Sequence, residues 1–135
     1  MNTVLLVTRD RERAAAIGEE LEDRRYDVMW CPGPRAPTFT CISSSGRRCP
    51  LTVYADVVIV DGWLSGEENR SGTPYWRLVL YYHSLGIPVV VLVGAEALPG
   101  PVPEESIVAL SRDADAGDVA DAAVRLVREG VLTGG

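Results

Sequence analysis

The sequence predicts an α/β fold built on a parallel sheet of five strands. Three observations carry that prediction. Short apolar runs, each too brief for a helix and rich in β-branched residues, recur at Thr3–Val7, Tyr26–Cys31, Val57–Val60, Ile87–Gly94 and Ser106–Ser111. Val57–Val60 is apolar at every position and flanked by polar turn residues, which reads as a central strand buried on both faces. Between the runs lie segments of helical spacing or loops, and strands alternating with helices form parallel sheets with right-handed crossovers.

The elements follow in order. After the first strand, Thr8-Arg9-Asp10 offers Thr8 or Asp10 as a helix cap. From Arg11 to about Arg24, Ala14, Ile17, Gly18 and Leu21 recur at helical spacing with the charged residues mostly elsewhere, an amphipathic helix. The second strand ends at Cys31. Pro32 to Pro50 shows neither helical nor strand periodicity and holds Pro32, Pro34, Pro37 and Pro50, so it reads as a long irregular loop. The central strand then delivers Asp61 to its C-terminal tip, the edge where open parallel sheets place ligands and chemistry. Asp61 is the leading functional candidate; the competing reading is a carboxylate that caps the next turn.

Ser65 to Thr73 is a polar loop. Pro74 opens a helix to about Ser84, with Trp76, Leu78, Val79, Leu80 and Tyr82 as its apolar bulk and Leu85-Gly86 as its end. The fourth strand follows. Ala95 to Glu105 holds Pro99, Pro101 and Pro103, each lacking a backbone donor, and supports one helical turn at most. After the last strand, Asp115 caps a helix to about Arg128 with Val119, Ala123, Leu126 and Val127 inward. Gly130 is its expected terminator, leaving 131–135 as a flexible tail.

Composition bounds the function. The 135 residues fit one domain, expected over 1–130 with an irregular insertion at 32–50. A net charge of −6 argues against a nucleic-acid surface, and no apolar run approaches a membrane span. The N-terminus enters a strand directly with no secretory pattern, which places the protein in the cytoplasm. All 13 basic residues are arginine, so no ammonium side chain is available for chemistry. No Gly-x-Gly-x-x-Gly follows any strand, which argues against a dinucleotide site.

Asp56-Val57-Val58-Ile59-Val60-Asp61 with Gly66 beyond it, and Gly86-Ile87-Pro88 before a Val-rich fourth strand, resemble the receiver domain of bacterial response regulators over about residues 3–128. The resemblance implies a flavodoxin-like three-layer sandwich, with the second and fourth helices of that family replaced by Pro32–Pro50 and eroded into Ala95–Glu105. It also implies that Asp61 stands at the position phosphorylated in the family with the help of magnesium. The other chemical positions differ. The family's acidic pair after the first strand matches Thr8 and Arg9, its hydroxyl residue after the fourth strand matches Val93, and its lysine matches Ser111 or Arg112. A guanidinium opposes a hard cation there, so magnesium and phosphotransfer at Asp61 are not expected. Dimerisation through the family's fourth-helix face is in doubt as well, so a monomer or weak homodimer is expected.

Cys31, Cys41 and Cys49 fall within nineteen residues of otherwise irregular chain. In a cytosolic protein such clustering points to metal or redox chemistry before a structural disulfide. Three readings stay open: a zinc or iron–sulfur site, a reversible disulfide, or three unconnected buried thiols. A structural zinc wants a fourth ligand, for which Asp61 is better placed than His83. Trp63, two residues beyond Asp61, and Arg112 are the interface candidates. The sequence thus predicts a non-enzymatic signalling module that binds a protein partner without phosphotransfer. The alternative is a metal-binding or thiol redox sensor using the three cysteines.

Overall fold

The computed structural model describes residues 2–8, 10–31, 54–61, 74–93, 107–111 and 113–133. Within them are five strands, β1 (Thr3–Thr8), β2 (Asp27–Cys31), β3 (Val57–Asp61), β4 (Val89–Val93) and β5 (Ile107–Ser111). Three helices accompany them, α1 (Arg11–Asp23), α2 (Pro74–Ser84) and α3 (Ala116–Thr133). The strands form one sheet in the order β2-β1-β3-β4-β5 with every neighbouring pair parallel. That is the flavodoxin-like order, in which chain connections leave in opposite directions from β1 and β3.

Strand alternation sorts the core into two layers. Val4, Leu6, Val57, Ile59, Val90 and Leu92 face α1 and α3, meeting Ile17, Leu21, Val119, Ala123 and Leu126. Leu5, Val7, Val58, Val60, Val89 and Val91 face the other way and meet Val79 and Tyr82 of α2. All five residues of β3 are buried, so the central strand anticipated from its unbroken apolar run sits at the middle of the sheet. β4 starts at Val89 instead of Ile87. Pro88, which has no N–H to pair, contributes its carbonyl to the Val58 N–H at 3.0 Å.

The helices begin and end for local reasons. Asp10 caps α1, its Oδ1 accepting from the Glu12 and Arg13 amides at 3.0 and 3.1 Å. At the other end the Tyr26 amide reaches the Leu21 carbonyl and the Arg25 amide reaches Glu22, a Schellman closure with Arg25 at φ 65°. The end of α2 repeats it: Ile87 bonds to Tyr82 and Gly86 to His83, with Gly86 at φ 78°. One expectation fails. α3 runs through Gly130 to Thr133, since a helical glycine costs only about 1 kcal/mol. On α2, Leu80 is exposed while Val79 and Tyr82 are buried against the sheet.

Pro32–Pro50 and Ala95–Glu105, where two helices are expected to be replaced or eroded, lie outside the described residues. So do Cys41, Cys49, Trp63 and Arg112.

Candidate functional site

β1 and β3 are adjacent, and their register pairs Thr8 with Asp61 at the C-terminal edge of the sheet. The chain leaves β1 toward β2 and β3 toward β4, so this pair marks the switch point where open α/β sheets form a crevice. Thr8 is fully buried and Asp61 is 5 % exposed, although both end their strands. Burying a carboxylate requires hydrogen-bond donors to replace water.

One donor is Thr8, whose Oγ1 donates to Asp61 Oδ2 at 3.1 Å. The same hydroxyl oxygen accepts from the Asp10 amide at 3.1 Å. A relay therefore runs from the start of α1 through Thr8 to Asp61. The Thr8 carbonyl in turn accepts from the Trp30 indole Nε1–H at 3.0 Å, which ties the exposed Trp30 ring of β2 to the same residue. A hydroxyl can both donate and accept, and Thr8 uses both capacities; a carboxylate in its place could only accept.

This donor set does not suit a magnesium ion. Asp61 brings one carboxylate and Thr8 a neutral hydroxyl, while Asp10 turns Oδ1 onto the amides of α1. Magnesium sites are built from carboxylates and water in near-octahedral geometry. Among the described residues, no cluster of three or more His, Cys, Asp or Glu side chains could hold a metal ion.

The remaining predicted positions scatter. Cys31 ends β2 at the same edge as Asp61, paired in register with Val7. It packs on the α2 side with Val7 and Val60, however, whereas Thr8 and Asp61, one residue further along, fall on the α1 side by alternation. Asp61 therefore does not join Cys31 as a co-ligand. His83 lies in the last turn of α2, next to the start of β4 and thus at the opposite edge. Ser111 ends β5 beside Val93, and its Oγ accepts from the Asp113 amide at 3.1 Å. It closes a local turn. The Arg13 guanidinium bonds the Ala114 carbonyl at 2.6 Å and so fastens the chain after β5 to α1.

Sequence reasoning weighed Thr8 only as a helix cap or as a missing acid, and did not single out Trp30. The signal for Thr8 was available: a β-branched hydroxyl residue at a strand end, in the position paired with Asp61 once β1 and β3 are taken as neighbours.

The same fold occurs in solved receiver domains. A response regulator receiver domain from Methanospirillum hungatei superposes with a TM-score of 0.62 at 16 % identity, covering 95 % of this chain and 98 % of that one. A receiver domain from Clostridium thermocellum gives 0.61 at 18 % identity and 98 % coverage of both chains. The N-terminal domain of a response regulator/sensory box/GGDEF protein from Carboxydothermus hydrogenoformans gives 0.56 at 21 % identity, covering 96 % and 99 %. No protein-family model and no curated protein sequence matches the chain. The likeness at these identities establishes the fold, while chemistry has to be argued from the site. No described helix is long and apolar enough to cross a membrane.

Proposed function

We propose that this protein is a signalling module on the receiver fold that acts by binding a protein partner and does not transfer phosphate. The observation that carries the reading is the Thr8–Asp61 hydrogen bond of 3.1 Å between two buried side chains. A phosphoryl acceptor needs an accessible carboxylate oxygen and a cation to offset the charge of the incoming group. Here Asp61 is buried, one of its oxygens is held by a neutral donor, and among the described residues it belongs to no group of three or more side chains that could hold a metal ion.

Asp61 on this reading is a structural acceptor that joins β3 to β1 and, through Thr8, to α1. The protein is a non-enzymatic, cytoplasmic, single-domain module over 1–130. Partner recognition is assigned to the Pro32–Pro50 segment, whose sequence departs most from an amphipathic helix. The test is incubation with acetyl phosphate and magnesium followed by intact mass measurement at acidic pH, where acyl phosphates survive. The expected spectrum shows the unmodified chain only. A phosphoryl adduct that disappears in Asp61→Asn would overturn the reading.

A further inference from the structure

The face of α1 next to β2 carries a groove of about 480 Å³ whose lining includes Arg11, Ala15, Gly18, Glu22, Val28 and Trp30. Three features of this groove bear on what it could hold. Trp30 is 45 % exposed, yet its indole is locked in place by the bond to Thr8. An immobilised, half-exposed tryptophan is the kind of side chain that anchors protein interfaces.

The second feature is Gly18. It lies in the middle of a thirteen-residue helix, where glycine is disfavoured more than any residue except proline. Gly18 is itself buried, at the floor of the groove, and a Cβ built there meets nothing within 4 Å among the described residues, so the floor has room for an approaching chain. Glycine at such a place suits the close approach of another backbone from outside.

The third is the pattern of charge. Arg11, Ala15, Gly18 and Glu22 form one stripe along α1, spaced four, three and four residues apart. Arg11 and Glu22 are equidistant from a point between residues 16 and 17, and so are Ala15 and Gly18. A helix crossing its own copy antiparallel about that point sets Arg11 against Glu22 at both ends and small residues against each other at the centre. The surface is complementary to itself, as a two-fold interface requires.

We propose that this protein self-associates through a two-fold, antiparallel pairing of α1, with Arg11 of each copy against the partner's Glu22, Ala15 and Gly18 at the crossing, and Trp30 flanking the seam. Arg11 and Glu22 are both exposed, and among the described residues neither is engaged in an ion pair. Each is available to a second copy. One helix and one tryptophan per copy make a small interface, so the association is weak and concentration-dependent. It rests on α1 and β2 alone and is independent of whether Asp61 accepts phosphate.

Sedimentation velocity from low micromolar to near-millimolar protein tests it, using wild type, Arg11→Glu, Glu22→Arg and an equimolar mixture of the two variants. Wild type shifts from monomer to dimer as concentration rises. Each variant alone opposes like charges at both ends of the seam, and its association weakens about tenfold or more. The mixture recovers dimer, because one chain then presents two carboxylates and the other two guanidiniums. Glu22→Arg makes the protein less negative than its −6, so its weaker association cannot come from general repulsion. Gly18→Leu, which fills the crossing, also weakens association while the circular dichroism spectrum is retained. Wild type that stays monomeric throughout, variants that dimerise as wild type does, or a mixture that fails to pair would each overturn the proposal.

Discussion

A buried carboxylate is held in place by its donors, and at Asp61 one donor is the Thr8 hydroxyl, itself anchored by the Asp10 amide. Thr8→Val keeps shape and β-branching but removes the hydroxyl. It leaves Asp61 Oδ2 and the Asp10 amide without this partner, an expected loss of about 1–3 kcal/mol. Urea denaturation measures it, with Thr8→Ser as the variant that keeps the hydroxyl and loses less. Equal stability of Thr8→Val and wild type would mean that the relay contributes nothing. Asp61 was legible in the sequence because an unbroken apolar run ends on it. The role of Thr8 was not, because the two residues are 53 positions apart and meet only through the β1–β3 register. A slip of one residue in that register would send their side chains to opposite faces.

The two Schellman closures form a natural comparison between elements. Both α1 and α2 end on a residue in the left-handed region, but α2 uses Gly86 and α1 uses Arg25. A residue with a Cβ pays about 1–2 kcal/mol for that conformation. Arg25→Gly is therefore expected to stabilise the protein by about 0.5–1 kcal/mol, the remainder going to the entropy glycine brings to the unfolded chain. Gly86→Ala is expected to destabilise it by about 1 kcal/mol. Chemical denaturation of the two variants checks both signs at once. Leu85-Gly86 was legible as a helix end because glycine announces it, whereas the same turn at Arg25 carries no compositional signal. Gly130 shows the converse: it has the composition of a terminator, yet α3 passes through it to Thr133. Nearby, the hydrogen bonds from Arg24 to Glu20 and to Asp121 hold that guanidinium above its ordinary pKa and join the end of α1 to α3. Tertiary contacts of this kind cannot be read from periodicity.

At the scale of the whole molecule, a parallel five-stranded sheet followed from strand-length apolar runs alternating with helical patterns, whereas the flavodoxin-like arrangement, seen here as the order 2-1-3-4-5, was implied only by the resemblance to receiver domains. Function is constrained less, since one scaffold supports many chemistries and the likeness to solved receiver domains shows the fold alone. The three-cysteine reading shows where spacing alone stops. Only Cys31 falls among the described residues, and strand alternation sets it on the opposite face from Asp61. On the proposed reading, Asp61 is a structural acceptor and takes neither a metal nor a phosphoryl group. Amide NMR spectra recorded with and without magnesium and beryllofluoride, a stable mimic of a phosphoryl group on aspartate, test that claim most directly. Unchanged resonances are expected for Thr8, Asp10 and Asp61. Saturable, stoichiometric shifts at those three residues, lost in Asp61→Asn, would contradict it.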